Sequence, residues 1–227
     1  MSKIEYKTLN DHAYEAIKKG LMAAEFGPGQ PLIIRNLAET YGISTTPVRE
    51  ALQRLVAERL LDLLPNRTIA VPELNAEKFA EILRIRCALE GLAAELGAKY
   101  LEKVHLRRLK KLLQAMEAAL ERDDYDTYRS TNQQFHFTLY DCADSPQLLQ
   151  IIQDLWGRAG PYMKVLFMDG RYRTIANDEH RKIIAALEDG DISGVRDHIV
   201  SDVESACLII LEELQAKPTL LNQPGPS

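Results

Sequence analysis

The sequence predicts a mostly α-helical protein: an N-terminal winged helix-turn-helix followed by an all-α antiparallel helical bundle. Three observations carry this expectation. Short helical patterns flank a glycine turn at Gly42, the spacing of a helix-turn-helix. The stretch "LLDLLPNRTIAVPEL" places two short apolar runs around Pro65-Asn66-Arg67, which is a hairpin signal. From Asn75 to about Gln215 the apolar residues keep a helical period, and no period-two run interrupts it.

Taken in order, Ala13, Ile17, Leu21 and Met22 mark a first helix over Asn10–Phe26, with Asn10 or Asp11 as its N-cap. Gly27-Pro28-Gly29 ends it. A second helix over Ile34–Tyr41 closes on Gly42 as the C′ residue. Ser44 then caps a third helix, and Pro47 is tolerated because it falls in the first turn. The downstream helices are expected at Ala76–Lys99, His105–Arg122, Tyr125–Ala143, Pro146–Phe167, Asn177–Glu188 and Ile192–Gln215. They are separated at Asp123-Asp124, Asp144-Ser145-Pro146, Met168-Asp169-Gly170 and Asp189-Gly190-Asp191, and such short breaks favour antiparallel neighbours. The division is therefore 1–74 for the winged helix, 75–216 for a helical effector-binding and dimerisation domain, and 217–227 for a frayed, proline-containing tail.

The totals narrow the function classes. Apolar residues make up 46% of the 227 and charged residues 27%, so a sizeable folded core is expected rather than disorder. Residues 1–74 hold nine Lys/Arg and nine Asp/Glu, leaving 19 basic and 24 acidic residues downstream. The acidic excess thus lies wholly outside the first third, a mild sign of two tasks. Cys87, Cys142 and Cys207 are scattered with no CxxC pair, which argues against a disulfide framework or zinc knuckle. The N-terminus lacks an apolar signal region, and no run approaches a spanning helix. A cytoplasmic location without a membrane partner is the expectation.

The stretch "GISTTPVREALQRL" is the most informative one. In a helix-turn-helix the second helix of the motif enters the major groove, and its N-terminal residues meet the bases. Thr45, Thr46 and Arg49 fall on that first turn. Threonine hydroxyls bond phosphates or bases, and arginine can grip guanine with two hydrogen bonds. The helix N-terminus itself favours a phosphate. Behind this face Val48, Leu52 and Leu55 repeat at core spacing. Read locally, the same residues also fit a capped surface helix with an incidental arginine.

The run from "PGQPL" through "GISTTPVREALQRL" to the wing resembles the DNA-binding half of GntR-family transcription regulators. The resemblance continues through "EILRIRCALEGLAAELGAKYL", "NQQFHFTLYDCADSPQLLQII" and "EHRKIIAALEDGDISGVRDHI", which look like the FadR-like branch with its C-terminal, effector-binding FCD domain. It covers the chain to about residue 215. The resemblance implies a dimeric regulator of palindromic double-stranded DNA, most simply a repressor, tuned by a small effector. Carried over residue by residue, it implies DNA contacts from Arg35, Thr46, Arg49, Arg54, Asn66 and Arg67. Two departures stand out: Thr68 replaces a glycine often found at the wing tip, and Gln53 replaces a common arginine.

The resemblance also implies a divalent metal inside the bundle. The family's ligand pattern falls on Asn132, His136 and His180, with Asp202 in place of a further histidine and His198 one turn before it. Asn132 and His136 share a helix face at i, i+4. This donor set suits Zn²⁺, Ni²⁺ or Mn²⁺. A metal-free pocket with hydrogen-bonded core histidines is the alternative. Arg86 falls where relatives aim an arginine at the effector, which would suit a small carboxylate; its local alternative is an Arg86–Glu90 pair on a solvated face. Trp156, Tyr162, Met163 and Phe167 are either cavity lining or plain core. A metal-dependent enzyme on a helical bundle and a protein-docking adaptor are the competing functions.

Overall fold

The computed structural model describes residues 8–168 and 172–216. The expected tail at 217–227 and part of the break at 168–170 lie outside the described residues. Contacts divide the chain into two compact units: the residues up to Glu73 together with Trp156–Tyr162, and Leu74–Leu155 with the residues from Met163 on.

In the first unit, helix α1 spans Leu9–Met22. Thr8, rather than Asn10 or Asp11, is its N-cap: the Thr8 side chain takes the Asp11 amide and the Asp11 carboxylate takes the Thr8 amide. Asp11 is thus the third helical residue of a capping box. Helix α2 is Ile34–Tyr41 and ends on Gly42 at φ 65°, the left-handed conformation glycine adopts freely. Helix α3 is Thr45–Ala57 with Ser44 as N-cap, but the Ser44 side chain makes no capping bond. Val48, Leu52 and Leu55 are fully buried with Ile17, Leu21 and Leu60.

The wing is minimal. Strands β1 (Asp62–Leu63) and β2 (Ile69–Ala70) pair antiparallel, Asp62 opposite Ala70. Pro31 bridges to Ala70 on the other side. At the tip, Arg67 N–H donates to Leu64 O at 2.8 Å and Leu64 N–H to Thr68 O at 2.8 Å. Arg67 itself is left-handed, with φ 63°. The glycine-like position of this turn is therefore residue 67, not Thr68. Asn66 Oδ1 accepts from the Thr68 amide at 3.0 Å and steadies the loop.

The second unit is helical. Helix α4 (Ala76–Tyr100) packs on α9 (Ile192–Ala216) and on α6 (Tyr125–Tyr140). Helix α5 (Lys103–Glu121) packs on α6 and on α8 (Asp178–Asp189), and α8 packs on α9. Gly97 lets α4 approach α6: a Cβ there would sit 2.2 Å from the Leu139 carbonyl oxygen. Two expected helices end early. Helix α6 stops at Tyr140 and gives way to a 3₁₀ turn over Asp141–Ala143. Helix α7 is Pro146–Ala159, and Gly160–Phe167 is 3₁₀. Pro161 explains the second break, because it lacks an amide hydrogen and its ring clashes with the preceding turn.

Trp156 and Tyr162 are buried, and the Tyr162 hydroxyl donates to Pro72 O at 3.3 Å. Phe167 joins an aromatic group instead, stacked on Tyr125 at 4.5 Å and edge-on to Tyr128 and Tyr172.

Candidate nucleic-acid interface and metal centre

The first turn of α3 is open to solvent. Thr45, Thr46 and Arg49 are exposed, while Val48 between them is fully buried. Because Ser44 spends no side-chain oxygen on capping, the leading amides of α3 keep the positive end of the helix dipole open to an anion. Arg49 borders a cleft of about 720 Å³ between α3 and the wing, shared with Gln53 and Arg67 and floored by Val56, Leu63 and Ile69. Sequence reasoning noted Gln53 only as a departure; the structure puts it beside Arg49. Arg35 is exposed on α2, and Asn66 and Arg67 are exposed on the wing.

Arg54 stands apart from the other candidate DNA contacts. Five residues past Arg49, it lies about 140° further round the helix. Its guanidinium lies 3.8 Å from the centre of the Tyr14 ring. Its Nε donates to Glu58 at 3.0 Å, and Asp11 stands 3.8 Å away. That arginine braces α3 against α1 and lies outside the cleft's lining, with about half of its side chain exposed.

In the helical unit His136, His180 and Asp202 come together as a buried group. Helix α6 supplies His136, the first turn of α8 supplies His180, and the middle of α9 supplies Asp202. The two Nε2 atoms are 3.3 Å apart. Asp202 Oδ2 lies 3.2 Å from His136 Nε2, and Oδ1 lies 3.7 Å from His180 Nε2. His198 does not join; its Nδ1 pairs with Glu179 at 2.8 Å.

The surrounding hydrogen bonds fix which nitrogen carries a proton. The Tyr140 hydroxyl donates to Glu90 Oε2 at 2.8 Å, so its oxygen accepts from His136 Nδ1 at 3.0 Å. Asn177 Oδ1 can only accept, so His180 Nδ1, 3.2 Å away, donates to it. Both Nδ1 atoms thus donate outward, and the two Nε2 atoms face one another and the Asp202 carboxylate, with His136 Nε2 within hydrogen-bond reach of Oδ2. Such a convergence is repulsive unless a proton or a metal cation lies within it. Burial, partly offset by Asp202, lowers His180 to about 4, so at neutral pH a proton on His180 does not relieve it. Asp202 is held below the usual carboxylate range: burial pushes it up, but His180 and His136 outweigh that.

The residues fit a divalent ion. Bonds of about 2.0–2.2 Å put neighbouring donors of a tetrahedral site roughly 3.3–3.6 Å apart, close to the spacings found. One turn before His136, Asn132 Oδ1 is buried with no hydrogen-bond partner among the described residues. An orphaned acceptor costs about 1–3 kcal/mol, and a cation nearby would satisfy it.

Arg86 does not lie on a solvated face. It is 5% exposed, its Nε donates to Glu90 Oε1 at 2.6 Å, and one Nη reaches Cys207 Sγ at 3.7 Å. Burial works against the charge, but Glu90 holds the arginine protonated. The same neighbourhood, chiefly by burial, pushes the Cys207 thiol up to about 11. Tyr140 and Asn177 escaped sequence reasoning; their only signals are the i, i+4 and i, i+3 spacings to His136 and His180.

An exposed helix start beside a wing, ahead of a helical unit with a buried donor cluster, defines a ligand-responsive DNA-binding protein. Comparison with known proteins agrees. Residues 9–71 match the bacterial regulatory proteins of the gntR family, and residues 81–205 match the FCD domain. The chain belongs to the GntR family of transcription regulators, in the branch that carries an FCD domain. It is 32% identical to the HTH-type transcriptional regulator McbR of Escherichia coli over 92% of this chain and 95% of that one. The solved structure of E. coli McbR superposes with a TM-score of 0.85, covering 92% of this chain and 99% of that one at 31% identity. A probable D-xylose utilization operon transcriptional repressor of Paenarthrobacter nicotinovorans is 31% identical, covering 72% of this chain and 71% of its own length. These relatives are regulators, which sets aside the enzyme and adaptor readings. Among the described residues no helix is long and apolar enough to cross a membrane.

Proposed function

We propose that this regulator is a repressor that binds a palindromic operator as a homodimer and is modulated by a small anionic effector in its helical unit. The observation that carries the DNA half is the open first turn of α3, with Arg49 set between Thr46 and the wing cleft. Thr45, Thr46 and Arg49 would meet base edges and phosphates of the major groove. Arg67 and Asn66 would follow the backbone at the wing, and Arg35 would hold a phosphate. The dimer follows from the two-fold symmetry such operators mirror. A face of α4 that leaves Ile85 and Leu92, two turns apart, about 40% exposed would suit a second copy.

Asn132, His136, His180 and Asp202 would hold the metal, with Zn²⁺, Ni²⁺ or Mn²⁺ matching their nitrogen and oxygen donors. A bound divalent cation supplies Lewis acidity and, against one carboxylate, a residual positive charge. That charge favours an anionic effector such as a small carboxylate, since Arg86 is already matched by Glu90.

The test is fluorescence anisotropy of labelled duplexes recovered by genomic selection, at two salt concentrations. Sequence-specific binding that weakens with salt is expected, and Zn²⁺ with a panel of small carboxylates should shift the affinity. Equal binding to all duplexes would defeat the reading.

A further inference from the structure

We propose that Glu90, acting through Tyr140, is a positioning residue that locks His136 as the Nδ1–H tautomer and so presents its Nε2 to the metal. Arg86 anchors this relay and does not clamp the effector.

The argument runs along one buried line. Arg86, Glu90, Tyr140 and His136 are each 5% exposed or less. Glu90 holds Arg86 through Oε1 at 2.6 Å and takes the Tyr140 hydroxyl through Oε2 at 2.8 Å. A carboxylate only accepts, so the phenol must donate to it. The phenol oxygen then faces His136 Nδ1 at 3.0 Å as an acceptor. Each direction forces the next, and the last one puts a proton on Nδ1, so that Nε2, 3.2 Å from Asp202 Oδ2, is the nitrogen turned to the donor cluster. Metal-bound histidines commonly take such a partner on their other nitrogen, which fixes ring orientation and raises basicity. Here a phenol stands between the histidine and the carboxylate, and an ion pair holds that carboxylate in place. Without Arg86, Glu90 would be a buried, unmatched charge, which is strongly unfavourable. The arginine's role is thus accounted for inside the bundle.

The inference rests on the metal reading above, and the experiment separates the two. Full-length protein and Tyr140→Phe are compared after chelation. Long-range ¹⁵N–¹H spectra report the His136 ring nitrogens, competition titration reports Zn²⁺ and Co²⁺ affinity, and thermal melts confirm the fold. In the parent, His136 Nδ1 should be protonated and hydrogen-bonded. Tyr140→Phe should mix the tautomers and weaken both metals about 10–100-fold. Should that variant fold poorly, Arg86→Met/Glu90→Gln keeps the pair neutral while freeing the direction of the phenol, and the same two changes are expected. Unchanged metal affinity in a folded variant overturns the proposal, as does a parent His136 with no proton on Nδ1. If the parent binds neither metal, the metal reading fails. The spectra still decide the relay: an Nδ1–H parent that loses this preference in Tyr140→Phe upholds it, and any other pattern overturns it.

Discussion

Asn177 heads α8, yet its side-chain oxygen takes the His180 imidazole at 3.2 Å instead of a backbone amide of the first turn. A residue type favoured for capping is thereby diverted to orienting a donor. Asn177→Ala should cost little through capping, because no cap bond exists to lose. It should weaken Zn²⁺ by about tenfold, the low end for loss of an outer partner, since the Ala176 carbonyl also lies within reach of His180. Competition titration against a chromophoric chelator checks this, and unchanged affinity would remove Asn177 from the site.

Arg49 and Arg54 share one helix and should behave in opposite ways. Arg49→Ala should weaken operator binding by about 1–3 kcal/mol and relax specificity, as expected for an arginine that reads a base. Arg54→Ala should leave operator affinity unchanged. It should destabilise the fold by roughly 0.5–1 kcal/mol through the lost contact with Tyr14, a shift of about 2–4 °C in Tm at most for a chain this size. Anisotropy and thermal melts on the same two variants decide between the roles.

Much of this was legible in the sequence, for a local reason. The core face of α3 follows from the spacing of Val48, Leu52 and Leu55, and all three are fully buried. Asn132, His136 and His180 stood out through the resemblance, and the i, i+4 spacing puts the first two on one helix face. The relay was not legible: Glu90 and Tyr140 are 50 residues apart and meet only because α4 packs on α6. The run through Pro161 kept an apolar helical period, so periodicity alone carried the expected helix past the residue that ends it. Arg54 reads as a DNA contact through the resemblance, and its bracing contact with Tyr14, 40 residues earlier, shows only in the fold.

The wing offers a test in which stability and function part. Arg67 sits at φ 63°, a conformation costing a non-glycine residue about 1–2 kcal/mol. Arg67→Gly should therefore raise stability, by up to about 1 kcal/mol after glycine's greater unfolded-state entropy is subtracted. The same change should weaken DNA binding and reduce the salt slope by about 1 if the arginine neutralises a phosphate. A variant that is less stable, or that binds with the parent's salt slope, would contradict this account of the turn.

Acid should probe the donor cluster in the chelated protein. Burial holds folded His180 at about 4, against about 6.5 in an unfolded chain. Below that upper value the unfolded chain takes up a proton that the folded site refuses. The stability tied to His180 is thus fully present above about 6.5 and is lost as pH falls toward 4, on the order of 3 kcal/mol in all. Asp202 acts in the same direction at lower pH: its folded value is depressed despite burial, so its contribution disappears as pH drops through that value. Saturating Zn²⁺ should move the loss to lower pH, because protons must then displace the ion from its ligands. Chemical denaturation from pH 7.5 to 4.5, with and without Zn²⁺, reads both effects. His180→Gln should flatten the upper part of the profile, whereas a chelated parent equally stable at pH 7 and pH 5 would show that His180 takes up its proton in the folded state as readily as in the unfolded one.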